Sequence, residues 1–153
     1  MQAQAMPADG SSAPEPAALA DLPPRIVLYD GVCGLCSRSV RWLIRHDSKR
    51  NLRFAPLQGE TAAQLRLEHP SIPRDIDTVV LVDNGRVYLR SKAFLHVARY
   101  LDRPWRWGYA FRWFPAFLLD LVYRVVAKLR YRIWGKKDAC ELPAPEERAL
   151  FLA

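Results

Sequence analysis

Residues 29–36 read Tyr29-Asp30-Gly31-Val32-Cys33-Gly34-Leu35-Cys36. Ahead of them lies a short apolar run, Ile26 to Tyr29, and behind them an apolar periodicity that begins at Cys36. The pattern predicts a strand, a tight turn and a helix start, with two thiols on the turn. Two cysteines separated by two residues close a small disulfide ring with little loop to order. They equally supply two thiolates to a metal, and the flanking pattern decides between these.

From Cys36 the apolar positions continue at Val40, Leu43 and Ile44, the spacing of one helix face. Cys36 is therefore expected on the inward stripe and Cys33 at an exposed mouth. A cysteine at a helix N-terminus meets unpaired backbone N–H groups and the positive end of the helix dipole. Both favour thiolate, so a depressed pKa and a nucleophilic role are expected for Cys33, with Cys36 as the resolving thiol. Gly34 permits close approach of a partner backbone. Arg38 and Arg41 add positive charge in the first turns. Two readings of Asp30 stand side by side and are compatible. One is a turn or N-cap aspartate accepting backbone N–H groups. The other is a carboxylate near enough to Cys36 to take or return its proton.

The longer string strengthens the redox reading. Asp30-Gly31-Val32-Cys33-Gly34-Leu35-Cys36, then Val40-Arg41-Trp42-Leu43-Ile44-Arg45 and Phe54-Ala55-Pro56-Leu57-Gln58, resembles the DCC family of predicted thiol–disulfide oxidoreductases. The resemblance continues through 77–82, Arg90-Ser91-Lys92-Ala93, Tyr123-Arg124-Val125-Val126-Ala127 and Arg130-Tyr131-Arg132. It covers most of residues 25–140. It implies a thioredoxin-like fold and a dithiol/disulfide function, with Asp30, Cys33 and Cys36 as the signature residues.

At 153 residues with half of them hydrophobic, one domain with a real core is expected. Residues 1–24 are rich in Ala, Pro and Ser and lack both a basic n-region and a sustained apolar run. They read as a disordered acidic tail rather than a signal peptide, and the reading places the protein in the cytoplasm. They hold Asp9, Glu15 and Asp21 and no basic residue, so the remainder carries +10 against +7 for the whole chain. A body this basic attracts nucleic acid, an anionic membrane surface or an acidic protein, and charge alone does not choose. Three cysteines make an odd count, unlike a secreted disulfide framework. Cys140 is left over, either structural, a third redox thiol or a third zinc ligand.

The rest of the chain reads in order. Residues 25–30 form a strand buried on both faces, 34–46 a helix, and 52–55 a second strand ended by Pro56. A helix follows over 58–68 with Ala62, Leu65 and Leu67 facing inward. Residues 78–83 and 86–90 flank Asn84-Gly85, a strong hairpin signal. Ser91 is expected to cap a helix running to Leu101. The result is an α/β chain with a thioredoxin-like β-α-β-α-β-β-α core over 25–101. One departure concerns Asp77, which stands where thioredoxins carry a cis-proline. It reads as a turn aspartate or as a second carboxylate tuning the sulfurs.

From 102 the character changes. Trp105, Trp107, Trp113 and interspersed arginines precede a long helix over 117–134, in which Leu118, Leu121, Val122, Val125, Leu129 and Ile133 follow helical spacing. This C-terminal helical extension, 102–140, is followed by a tail, 141–153. The leading reading packs the helix on the sheet through its apolar stripe. Peripheral membrane contact through 105–137 is the second, and nucleic-acid binding the weakest, since no recognised motif accompanies it.

Two functions compete. The first is a thiol–disulfide oxidoreductase acting on a protein or small-molecule disulfide with an external thiol reductant, needing no metal, flavin or nucleotide in this chain. The second is a non-catalytic metal-, membrane- or partner-binding protein with structural cysteines. Only three sulfurs are available for a zinc site that wants four ligands, and His46, His69 and His96 show no ligand spacing with them.

Overall fold

The computed structural model describes residues 22–74, 78–135 and 144–152. The apolar run at the start forms β1 (Arg25–Tyr29), and the turn feeds α1 (Gly34–His46). Next come β2 (Arg53–Pro56), α2 (Glu60–Glu68), β3 (Val80–Asp83), β4 (Arg86–Leu89) and α3 (Ser91–Ala98). The order β-α-β-α-β-β-α is the one expected from the sequence pattern, and the fold is thioredoxin-like α/β. The sheet runs β2-β1-β3-β4, with β1 parallel to β2 and antiparallel to β3. The β3–β4 hairpin closes through Asn84 and Gly85, at φ 48° and 79°. Two successive positive φ values match the right-handed twist of the paired strands, which is why Asn-Gly suits this turn.

Alternation along β1 builds two cores. Val27 and Tyr29 point to the face covered by α1 and α3, meeting Val40, Leu43, Ile44, Ala93 and Val97. Ile26 and Leu28 point to the other face and meet Ala62 and Leu65 of α2. Each fully buried side chain of this size contributes about 1.5–3 kcal/mol. Together they make β1 a fixed platform that delivers the turn at its C-terminal end. Leu67 is 81% exposed, contrary to the inward expectation, because α2 turns only its Thr61–Ala62–Leu65 side to the sheet.

The region beyond α3 differs most from expectation. Residues Trp105–Trp113 form a 3-10 helix against α3, and α4 (Ala116–Trp134) packs chiefly on α1 and α3. Its apolar stripe does not face the protein. Leu118, Leu121, Val122, Val125, Leu129 and Ile133 are 37–62% exposed. The inward side carries Tyr123, Ala127, Arg130 and Tyr131 instead, and Arg130 is the buried residue of the helix. The helix is thus rotated away from the position hydropathy assigns.

Ser91 opens α3 rather than capping it. Arg90 holds the cap position at φ 54°, and the buried Ser91 hydroxyl donates to Asp120 of α4. The helix stops at Ala98, short of Leu101, and Leu101 is buried in the turn beyond it. At the C-terminal end, Phe151 bridges to Phe54, and the Leu152 N–H donates to the Phe54 carbonyl at 2.8 Å. This adds a short pairing at the β2 edge.

Candidate active site

The turn at the end of β1 places Cys33 at the N-cap of α1. Its backbone is extended there (φ −84°, ψ 121°), and its sulfur accepts the Cys36 N–H at 3.4 Å. A thiol in this position does what a capping serine or aspartate does, taking one of the helix's unpaired N–H groups. Both sulfurs are free thiols. Cys36 lies one helical turn inward, in the core with Val40 and Leu43.

Cys36 is buried on the inward stripe as expected, but the exposure of Cys33 departs from expectation. Cys36 is 7% exposed and Cys33 is fully buried. The helical stripe could foretell the first and not the second. What lies over the turn is the far end of α4. A methyl group added at Gly34 would sit 2.9 Å from the Trp134 carbonyl oxygen and 3.7 Å from that of Gly135. Glycine at 34 therefore admits a close backbone, and that backbone is the chain's own.

Asp30 is 1% exposed and engages four donors. Its Oδ1 accepts from the Val32 N–H at 3.0 Å and from Gln58 Nε2 at 3.0 Å. Gln58 in turn accepts the Gly31 N–H through Oε1 at 3.3 Å. These bonds rigidify the turn and carry the turn role read from sequence, while the N-cap position itself is held by Cys33. Oδ2 faces α4, where it accepts from the Tyr131 hydroxyl and pairs with Arg130 Nη2 at 3.4 Å. Arg130 Nη2 also donates to the Tyr131 hydroxyl at 3.0 Å. A carboxylate and a guanidinium buried together, with further hydrogen bonds on both, form the arrangement in which a charge survives outside water. This explains the rotation of α4: its Arg130–Tyr131 edge must reach Asp30.

The electrostatics follow from this placement. Burial, with the neighbouring Cys33, pushes the Cys36 thiol up to about 12, while Arg130 pulls the other way. Burial works against the Arg130 charge, but Cys36, the Tyr131 phenol and Cys33 outweigh it and hold the guanidinium above its ordinary value. Burial and the bond to Asp30 push the Tyr131 phenol up to about 12. Cys36 is thus a proton-bearing thiol at neutral pH, and Arg130 is the cation beside the sulfurs.

Sequence reasoning assigned that cationic role to Arg38 and Arg41, which are exposed on α1. Asp77 and Cys140, the other modulators it named, lie outside the described residues. Arg130, Tyr131 and Gln58 were missed as site residues, although all three stand in the strings that carry the family resemblance. Among the described residues, no three His, Cys, Asp or Glu side chains converge as a metal site would require.

Residues 27–136 match the family described as DCC1-like thiol-disulfide oxidoreductase. A chloroplastic DCC family protein of Arabidopsis thaliana is 41% identical over 118 residues, 76% of this chain and 69% of that protein. The uncharacterized protein YuxK of Bacillus subtilis is 39% identical over 132 residues, 86% of this chain and 96% of that one. No solved structure matches.

Two outcomes test the site's energetics. Asp30→Asn and Arg130→Met each remove one partner of a buried pair and are expected to cost about 3–5 kcal/mol in urea unfolding. The double variant should lose less than the sum by at least about 1 kcal/mol; additivity within about 0.5 kcal/mol would refute the coupling. The second concerns pH. An unfolded cysteine titrates near 8.5, roughly 3 units below Cys36 in the fold. The unfolded chain therefore loses this proton first. Stability is complete below about pH 8.5 and drains as pH climbs toward 12, by at most about 1.4 kcal/mol per pH unit. Unfolding midpoints from pH 7.5 to 10.5 should fall more steeply for wild type than for Cys36→Ala; parallel curves would contradict the placement.

Proposed function

Because the chain belongs to the DCC1-like thiol-disulfide oxidoreductase family, we propose that it reduces disulfides through Cys33 and Cys36. The observation that carries this reading is the Cys33 sulfur at the N-cap of α1, accepting the Cys36 N–H. Backbone dipoles aimed at a sulfur favour its anionic form, and the thiolate is the attacking species.

In the first step the Cys33 thiolate attacks one sulfur of a substrate disulfide. The substrate S–S bond breaks, a mixed disulfide forms on Cys33, and the first leaving sulfur takes a proton. Cys36 then gives up its proton and attacks Cys33. The Cys33–Cys36 bond forms, and the second substrate sulfur leaves as a thiol. Two electrons have passed from the dithiol to the substrate, and an external thiol restores them. Within this reading Asp30 fixes the turn and, with Arg130, accommodates the charge that moves between the two sulfurs. Access to Cys33 requires the Trp134–Gly135 end of α4 to lift from Gly34, so substrate and lid compete for one place.

A trapping experiment tests this. Cys36→Ser should accumulate a mixed disulfide with a disulfide-containing peptide, and Cys33→Ser should lose at least 100-fold in insulin reduction. Trapping on Cys36 in the Cys33→Ser variant, and none on Cys33, would reverse the roles. No adduct with either would end the redox reading.

A second reading concerns attachment rather than chemistry. Trp107, Trp113 and Phe117 are 71–81% exposed beside Arg106, Arg112 and Arg124. Aromatic side chains next to cations suit the headgroup layer of an anionic bilayer. Among the described residues no helix is long and apolar enough to cross a membrane, so the contact would be peripheral. The protein should sediment with vesicles of equal phosphatidylglycerol and phosphatidylcholine, with a blue-shifted tryptophan emission, and Trp113→Asp/Phe117→Asp should weaken this about tenfold. Equal behaviour with pure phosphatidylcholine, or no sedimentation, would dismiss it.

A further inference from the structure

An open cavity of about 340 Å³ lies between α4 and the β3–β4 end of the sheet. Thr78 and Arg90 line one side, and Tyr123, Arg124, Lys128 and Tyr131 of α4 line the other. Its placement is set by two phenols that reach past it. The Tyr123 hydroxyl accepts the Val79 N–H at 2.9 Å, tying α4 to the start of β3. The Tyr131 hydroxyl donates to Asp30, the carboxylate that braces the cysteine turn. The cavity therefore shares a wall residue with the dithiol's own hydrogen-bond network.

Among the described residues, the charged ones that line it, Arg90, Arg124 and Lys128, are all cations. All three are exposed, and among the described residues none forms an ion pair. Arg124 and Lys128 are one helical turn apart, so their charges repel across the same space. Arg90 is held opposite them by the positive-φ backbone that starts α3. Three like charges turned toward one recess are a cost to the fold alone and an asset to a bound anion. The volume is at the small end for ligand sites, suited to a short carboxylate-bearing arm rather than a folded partner.

We propose that this cavity is the subsite for the anionic arm of a low-molecular-weight disulfide, so that the substrate class is a small disulfide bearing carboxylates. The proposal rests on the redox reading above and names its substrate. With the arm held there, the ligand's S–S bond breaks, the Cys33–Cys36 bond forms, and the two ligand sulfurs leave as thiols carrying the dithiol's two electrons and two protons. Run backwards, the same subsite receives the anionic thiol that reduces the protein.

The test uses the full reduced chain and three disulfides of different charge: 3,3′-dithiodipropionate, 2-hydroxyethyl disulfide and cystamine. Each rate of protein thiol loss is divided by the rate of dithiothreitol with the same disulfide, which removes intrinsic reactivity. The dianion should lead the dication by ten- to a hundredfold, with the margin shrinking in 0.5 M salt, and the Arg124→Glu/Lys128→Glu variant should invert the order. Equal normalised rates, or an order the variant leaves unchanged, overturn the subsite while leaving the redox chemistry standing. If no disulfide reacts, the redox reading fails, and calorimetric titration of 3,3′-dithiodipropionate into the Cys33→Ser/Cys36→Ser protein decides the subsite alone. Saturable binding lost on charge reversal supports it, and absence of binding overturns it.

Discussion

A carboxylate shut away from water needs a cation, and Asp30 receives one from Arg130, a hundred positions along the chain. Much of the rest of the site follows from that pairing. It sets the rotation of α4 and brings Tyr131 onto the same carboxylate oxygen. It also places a permanent positive charge beside Cys33 and Cys36. A buried pair of this kind is weak as a source of net stability, because desolvation offsets most of the attraction. Its effect is positional. The pairing holds the helix in the arrangement that lays its C-terminal end against Gly34, between the two cysteines.

The coverage gives the fold a character that its β-α-β-α-β-β-α core alone does not have. The core presents the turn at the end of β1, and α4 then lays its C-terminal carbonyls over Gly34. The price is an unusual surface, since the apolar stripe of α4 is left facing outward. Hydrophobic burial would have been served better by the opposite rotation. The helix is held in this rotation by polar contacts along one edge: Arg130 and Tyr131 on Asp30, Tyr123 on Val79 and Asp120 on Ser91.

The core was legible from local pattern. An unbroken apolar run gave β1, the Cys36–Val40–Leu43–Ile44 spacing gave α1, and Asn84-Gly85 gave the hairpin. Each is a decision made within a few residues, where backbone geometry and alternation dominate. The site was legible only in its first half. Asp30, Cys33 and Cys36 lie within seven residues, but Arg130 reads as an ordinary solvent-facing base on an amphipathic helix. Hydropathy assigns a charged residue outward unless its partner is known, and the partner lies in another element. The same limit hid the burial of Cys33, because the chain that covers Gly34 comes from Trp134 and Gly135. Arg38 and Arg41 looked closer in sequence and proved to be on the wrong side of α1.

The distance between Asp30 and Arg130 has a bearing on synthesis. The cysteine turn is synthesised ahead of its counterion by on the order of 5–20 s at 5–20 residues per second. Throughout that interval the nascent chain carries two thiols without their guanidinium and without their cover. The sulfur environment described above therefore comes into being only after α4 has been made and has docked on the turn.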